Sequence, residues 1–265
     1  MLWFEDHNIA IFFSFKSDGD MLFHGTQINA DLPPHQNLVW GQAQTDADEL
    51  NDKVRANRIA FFKKHNIDPR RLINLAGIHG ANIATIDHSD LGRGALYPST
   101  RIPDTDGLIS DIKNSYLMVT GADCFPVFFY DPEKRVVGIA HCGWRGILRG
   151  LPIKIIDKFI SEFGSNSNDI NIWIGPGVKS CHFEVQNDVA GLFEKNFKNA
   201  IINKDGGIFI NLPEAIALPL IEAGIKPENI TEHPDCTFCE KDKYFSYRRD
   251  RPKIIEASAF IIQLK

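Results

Sequence analysis

The chain has 265 residues, 43% of them hydrophobic and 24% charged, with a formal net charge of −5. These proportions suit a globular protein with a substantial core, and the length leans toward one large α/β unit. No basic run suggests a nucleic-acid surface, no apolar run approaches the ~18 residues of a membrane span, and the N-terminus carries acids where a signal peptide needs lysine or arginine. Five cysteines, an odd number in a long chain, read as reduced thiols rather than a disulfide framework, so the expected setting is the cytoplasm.

Residues 9–15 (IAIFFSF) form an apolar run rich in Ile and Phe, the pattern of a buried strand. Gly19–Gln44 shows no period and reads as mixed loop and short strand. From Asp46 to His65, Leu50, Val54, Ile59, Phe61 and Phe62 recur at intervals of three to five, which predicts an amphipathic helix capped by Thr45 or Asp46. Leu72–Ala76 and Ile83–Ile86 read as strands around a His79–Gly80 turn, and residues 92–106 as a long loop. Tyr116–Thr120, Pro126–Tyr130 and Val136–His141 are strands, the second and third expected to pair as a hairpin. Gly146–Phe163 reads as one helix, Ile170–Ile174 as a strand, and Val185–Phe197 and Leu212–Ala223 as helices, with Gly224 closing the last. Ile254–Leu264 reads as a final strand. Strands and helices interleave without a strict βαβ rhythm, so the expected fold class is α/β, an α+β mixed-sheet sandwich in a single compact domain spanning 1–265.

Three separated side chains carry the chemistry: His79 in GIHG, Cys124 in GADCFP and His141 in AHCGWRG. Two imidazoles and one thiolate suit a divalent zinc that keeps one open position, because structural zinc normally takes four protein ligands and catalytic zinc three. The 126–141 hairpin would bring the strand ends bearing Cys124 and His141 together. After His141, a strand–helix junction offers unpaired N–H groups, and the Arg145 fork suits phosphate or carboxylate. Cys236-Thr-Phe-Cys239 has the spacing of half a zinc knuckle but lacks a second CxxC or HxxxH, and reads as two reduced thiols near the site. YFSYRRD reads either as a solvated turn or as a grip for a polar substrate.

These blocks resemble the laccase-domain family, the multicopper polyphenol oxidase or YfiH-like proteins also called purine nucleoside phosphorylases. The likeness runs from about Asn37 to Asp250. It rests on Asn57-Arg58 in the first long helix, Gly77-Ile78-His79-Gly80, Asp106-Gly107, Ala122 to Pro126, Ala140 to Gly146, Ile174 to Val185, and Cys236 to Asp250. The resemblance implies a YfiH-like fold and a zinc site at His79, Cys124 and His141. It also implies phosphorolysis of adenosine, inosine and methylthioadenosine, and deamination of adenosine. Three positions depart from the family pattern: Gly77 replaces a glutamine, Cys142 an alanine, and Arg251-Pro252-Lys253 a glycine-rich end.

The leading expectation is therefore a zinc-dependent purine nucleoside enzyme acting on a small nucleoside and phosphate, without nucleic-acid or membrane partners. Asp123 is the candidate proton shuttle, and Arg58, Arg145 and Arg249 are the candidate phosphate cations. Alternatives are an amidase or peptidoglycan-precursor editing enzyme with Cys124 as nucleophile and His141 as base, a copper-dependent phenol oxidase, and a nucleotide-sensing module without turnover. None of the nine histidines forms the HxH pairs expected of multi-copper sites.

Overall fold

In β2 (Ile9–Phe13) every residue is buried, and successive side chains enter two different cores. Ile9, Ile11 and Phe13 join one apolar cluster, while Ala10 and Phe12 join another on the opposite face. A strand alternates its side chains with period two, so such a run marks a sheet covered on both sides. β14 (Ser258–Leu264) repeats the pattern, sending Phe260, Ile262 and Leu264 one way and Ala259 and Ile261 the other.

The computed structural model describes residues 1–24 and 44–265, with side chains from residue 48 onward in the second stretch. Most of the loop and short strand expected over Gly19–Gln44, and the proposed caps Thr45 and Asp46, thus fall outside the described residues and side chains.

Two large sheets stack. The first has five strands in the order β1 (Leu2–Glu5), β2, β14, β6 (Ser115–Gly121) and β3 (Leu72–Asn74). The second has six: β13 (Ile230–Glu232), β9 (Asn171–Ile174), β7 (Phe125–Asp131), β8 (Val136–Cys142), β5 (Gly107–Ser110) and β4 (Ile83–Thr85). Parallel pairs (β3 with β6, β4 with β5, β13 with β9) mix with antiparallel ones. Between the sheets, Ile11, Phe13, Leu117 and Phe260 meet Phe128, Tyr130, Val137 and Ile139.

Helices cover both outer faces. α1 (Gln44–Lys64) packs Phe61 and Phe62 against the first sheet. α3 (Leu151–Phe163) and α5 (Leu212–Glu222) cover the second, burying Leu151, Ile155, Ile156 and Phe159, and Leu212, Ala215, Ile216 and Leu220. Both sets recur at three- and four-residue spacing, the signature of an apolar helix face. A small sheet of β10 (Glu184–Val185), β12 (Gly207–Ile210) and β11 (Ile201–Lys204) lies beside α4 (Asn187–Glu194). The result is the expected mixed-sheet sandwich. No described helix is long and apolar enough to cross a membrane.

One expected helix is two. Gly146–Phe163 divides into α2 (Trp144–Leu148) and α3, because Gly150 adopts φ +75° and Pro152 follows at the start of the next helix. A left-handed residue ends a right-handed helix, and proline fits a first turn where N–H groups lack partners. The β11–β12 hairpin, absent from the sequence reading, turns on Asp205-Gly206, both with positive φ. Asp-Gly is the composition that such a turn demands.

Candidate active site

The hairpin of β7 and β8 positions the first two site residues. Its register places Pro126 opposite His141 and Phe125 opposite Cys142, so Cys124, one residue before β7, sits beside the end of β8. The GADC bend also carries the chain from β6 in the five-stranded sheet to β7 in the six-stranded one. Asp123 takes φ +95° within that bend.

His79 arrives on the turn between β3 and β4, itself at φ +56°. A buried carboxylate holds that turn. Asp106 Oδ1 accepts the His79 N–H (3.0 Å), and Oδ2 accepts those of Ile78 (3.2 Å) and Gly80 (2.7 Å). The same carboxylate contacts His141 Nδ1 at 3.1 Å. With Nδ1 bonded to a carboxylate, His141 can offer its Nε2 lone pair as a ligand. Burial raises the Asp106 pKa, but bonds from His141 and the turn outweigh it and hold the carboxyl below its usual range.

Ligand atoms of His79, Cys124 and His141 lie within 4.8 Å of one another, and the two imidazole rings are 5.0 Å apart at their centres. Burial pushes the Cys124 thiol up, yet the charge and hydrogen bonding of His141, and then His79, bring it down to about 6. Burial likewise lowers His141, but the Cys124 thiolate and Asp106 raise it to about 10. Neighbouring Cys142 is driven the other way, well up, by burial and by Cys124. Position 143 must be small: a Cβ there would stand 2.9 Å from Cys124 Sγ and 3.1 Å from the His79 ring. Two nitrogens, one readily ionised sulfur and a carboxylate behind one imidazole form a donor set that fits a tetrahedral cation with one position left for reactant.

This cluster opens into a cleft of about 800 Å³. Phe23, Val178, Phe183 and Val185 contribute apolar wall, and Arg145 and Arg248 contribute positive charge. Arg145 stacks on Trp144 at 4.2 Å, and Arg248 lies over Phe183 at 5.1 Å while donating to the Glu184 carbonyl.

Two of the three expected phosphate cations are elsewhere. Arg58 is fully buried in α1, and its five donors go to Met21, Gly94 and Ala95 carbonyls and to Asn74 Oδ1. Arg249 gives its donors to Asp250 and to the carbonyls of Thr237, Phe238 and Tyr244. Neither lines the cleft. Both knit loops together, which corrects the reading of them as substrate contacts; Arg145 does line the cleft. Asp123 is buried, and its pKa is raised by that burial against the pull of its partners. Oδ1 accepts Thr237 Oγ1 (2.6 Å) and Oδ2 the Arg248 N–H (2.6 Å). It ties the Cys124 bend to the C-terminal segment and, unlike Arg58 and Arg249, lines the cleft.

Residues 21–262 match the profile of the multi-copper polyphenol oxidoreductase laccase family. The chain belongs to this family. A relative named purine nucleoside phosphorylase YlmD from Bacillus subtilis is 29% identical over 86% of this laccase-domain chain and 82% of its own. One from Escherichia coli, named purine nucleoside phosphorylase YfiH, is 29% identical over 83% and 84%. The crystal structure of the Bacillus licheniformis hypothetical protein YfiH superposes with a TM-score of 0.81 at 30% identity, covering 97% of this chain and 93% of that one.

Asp106 carries a sequence signal, an acid just before a strand glycine, but nothing local shows that its carboxylate holds the His79 turn and the His141 ring. Arg248 stands next to the arginine singled out. On a short helix, α6 (Tyr247–Asp250), which Ser246 caps by accepting the Arg249 N–H, adjacent residues face apart, and only coordinates distinguish them.

Proposed function

We propose that this laccase-domain protein is a metal-dependent purine nucleoside phosphorylase, with adenosine deamination as a second activity of the same site. The observation that carries the reading is the convergence of His79, Cys124 and His141 at a cleft with apolar walls and four lining arginines, Arg101, Arg145, Arg248 and Arg251. The relatives' names point the same way.

His79, Cys124 and His141 would hold the ion. A bound divalent cation would supply Lewis acidity toward a water or substrate oxygen. Arg145 and Arg248 hold the phosphate charge, and the Phe183–Val185 wall takes the purine face. In phosphorolysis a phosphate oxygen bonds to C1′ while the glycosidic bond breaks, its electron pair leaving with the base. In deamination a water oxygen bonds to C6 of adenine and ammonia departs. Adenosine, inosine and methylthioadenosine are the substrates of this reading. Asp106 fixes both imidazole-bearing elements throughout.

The test is incubation of metal-replete protein with inosine or adenosine, with and without phosphate, resolving free base and ribose 1-phosphate by chromatography. Phosphate-dependent base release that disappears on chelation and returns with zinc supports the reading; replete protein that releases no base overturns it. A second reading draws on the lowered Cys124 thiol beside His141, the pairing of a cysteine hydrolase. That enzyme would keep its activity through chelation. Two imidazoles and a thiolate also accommodate one copper ion, and metal analysis of protein purified without added metal decides between copper and zinc.

A further inference from the structure

A second group of metal-ligating side chains lies outside the cleft: Cys181, His182, Cys236 and Cys239. The CxxC pair has no partner in the sequence pattern, yet the fold supplies one, an adjacent cysteine and histidine on the loop before β10. The four ligand atoms lie within 4.8 Å of one another. Cys181 Sγ is 3.5 Å from Cys236 Sγ and 3.7 Å from Cys239 Sγ, and Cys239 Sγ is 3.3 Å from His182 Nδ1.

Those separations have a geometric meaning. Tetrahedral zinc with Zn–S of about 2.3 Å and Zn–N of about 2.0 Å sets sulfurs about 3.8 Å apart and sulfur to nitrogen about 3.5 Å. A disulfide would need about 2.0 Å between sulfurs. All three cysteines are free.

The surrounding backbone is arranged to match. Cys236 bridges Gly177 in parallel, and the Thr237 N–H donates to the Gly177 carbonyl (3.1 Å). The Lys179 N–H points at Cys236 Sγ (3.4 Å), a donor that favours sulfur carrying negative charge. Phe238 stacks on the His182 ring at 3.8 Å and 12°, fixing its orientation with Nδ1 toward Cys239.

We propose that Cys181, His182, Cys236 and Cys239 form a second, structural metal site that takes zinc. Three thiolates and an imidazole prefer a soft divalent ion, and four protein donors leave no position for reactant. Loading breaks three S–H bonds, forms three S–metal bonds and one N–metal bond, and releases three protons to solvent without electron transfer. The ion staples two loops far apart in the chain, each continuous with the cleft. His182 precedes the wall residue Phe183, and Thr237, inside the CxxC, anchors Asp123 beside Cys124. This site does not depend on the proposed activity.

The experiment is zinc stoichiometry on the full chain, purified under reducing conditions, equilibrated with zinc and desalted. Two equivalents per chain are expected, falling to one in Cys239→Ser, one in His182→Ala, one in Cys124→Ala, and none in Cys124→Ala/Cys239→Ser. Cobalt loaded into Cys124→Ala should give the near-ultraviolet thiolate-to-metal band and visible absorption of a tetrahedral site. His182→Ala carries the test if Cys239→Ser does not fold. A single equivalent that Cys124→Ala removes overturns the proposal, as does content unchanged in both Cys239→Ser and His182→Ala. So does a Cys124→Ala protein that binds no metal and whose intact mass shows a disulfide among these thiols.

Discussion

Asp106→Asn isolates the carboxylate behind the cluster at nearly constant volume. Asp106 is fully buried and receives four contacts: His79 N and His141 Nδ1 on Oδ1, Ile78 N and Gly80 N on Oδ2. Asparagine keeps one acceptor oxygen and puts an NH₂ where the other stood, so in either orientation donors meet donors. Two bonds to a charged group are lost at about 1.5–3 kcal/mol each, giving a destabilisation of about 3–6 kcal/mol. Because the turn bearing His79 and the His141 ring both lose their anchor, metal affinity should fall about 10–100-fold. Urea denaturation of apo protein reads the first quantity, and competition against a chromogenic chelator reads the second. Affinity within twofold of wild type, in a variant that is measurably destabilised, would refute the positioning role of Asp106.

Other outcomes follow from residues away from that carboxylate. Arg145→Gln should raise the KM for phosphate in a steady-state assay, whereas Arg58→Lys should lower the denaturation midpoint and leave that KM alone; an unchanged KM in Arg145→Gln would remove this arginine from the site. Gly150→Ala meets no atom within 4 Å, so its cost is conformational, about 1–2 kcal/mol for a left-handed alanine, read as a lower Tm. Burial raises the Asp18 pKa, but the Phe15 N–H and Lys64 bring it below its ordinary value. A lowered folded pKa means that the native state binds fewer protons near pH 4, so this stability is present above about pH 4 and lost as pH falls further. The stability gap between wild type and Asp18→Asn should therefore narrow in acid; a gap independent of pH would show that Asp18 acts otherwise.

Strand-forming runs and the hairpin that juxtaposes Cys124 and His141 were readable because their patterns are local. Every residue of β7 and β8 is buried and the turn between them is short, leaving one sensible pairing. The helix break at Gly150 was also written locally, in Gly150 and Pro152, but a continuous apolar period obscured it. Arginine roles were not legible. Arg58 and Arg145 each belong to a family motif, and only the packing shows one sealed among carbonyls and the other on a cleft. The sulfur cluster escaped for a related reason: a pattern search looks for CxxC repeated or for spaced histidines, whereas here the complementary ligands are sequence neighbours brought in by a parallel bridge.

The position of β14 has a consequence for biosynthesis. It lies between β2 and β6 and pairs antiparallel with both, so the midline of the first sheet is supplied by the last described strand to leave the ribosome. Until it emerges, β2 and β6 each present an unfilled, strongly apolar ladder, the kind of edge that recruits other chains. A nascent polypeptide stalled before Ser258 should thus be a client for chaperones and prone to precipitate, however complete its ligand-bearing half already is.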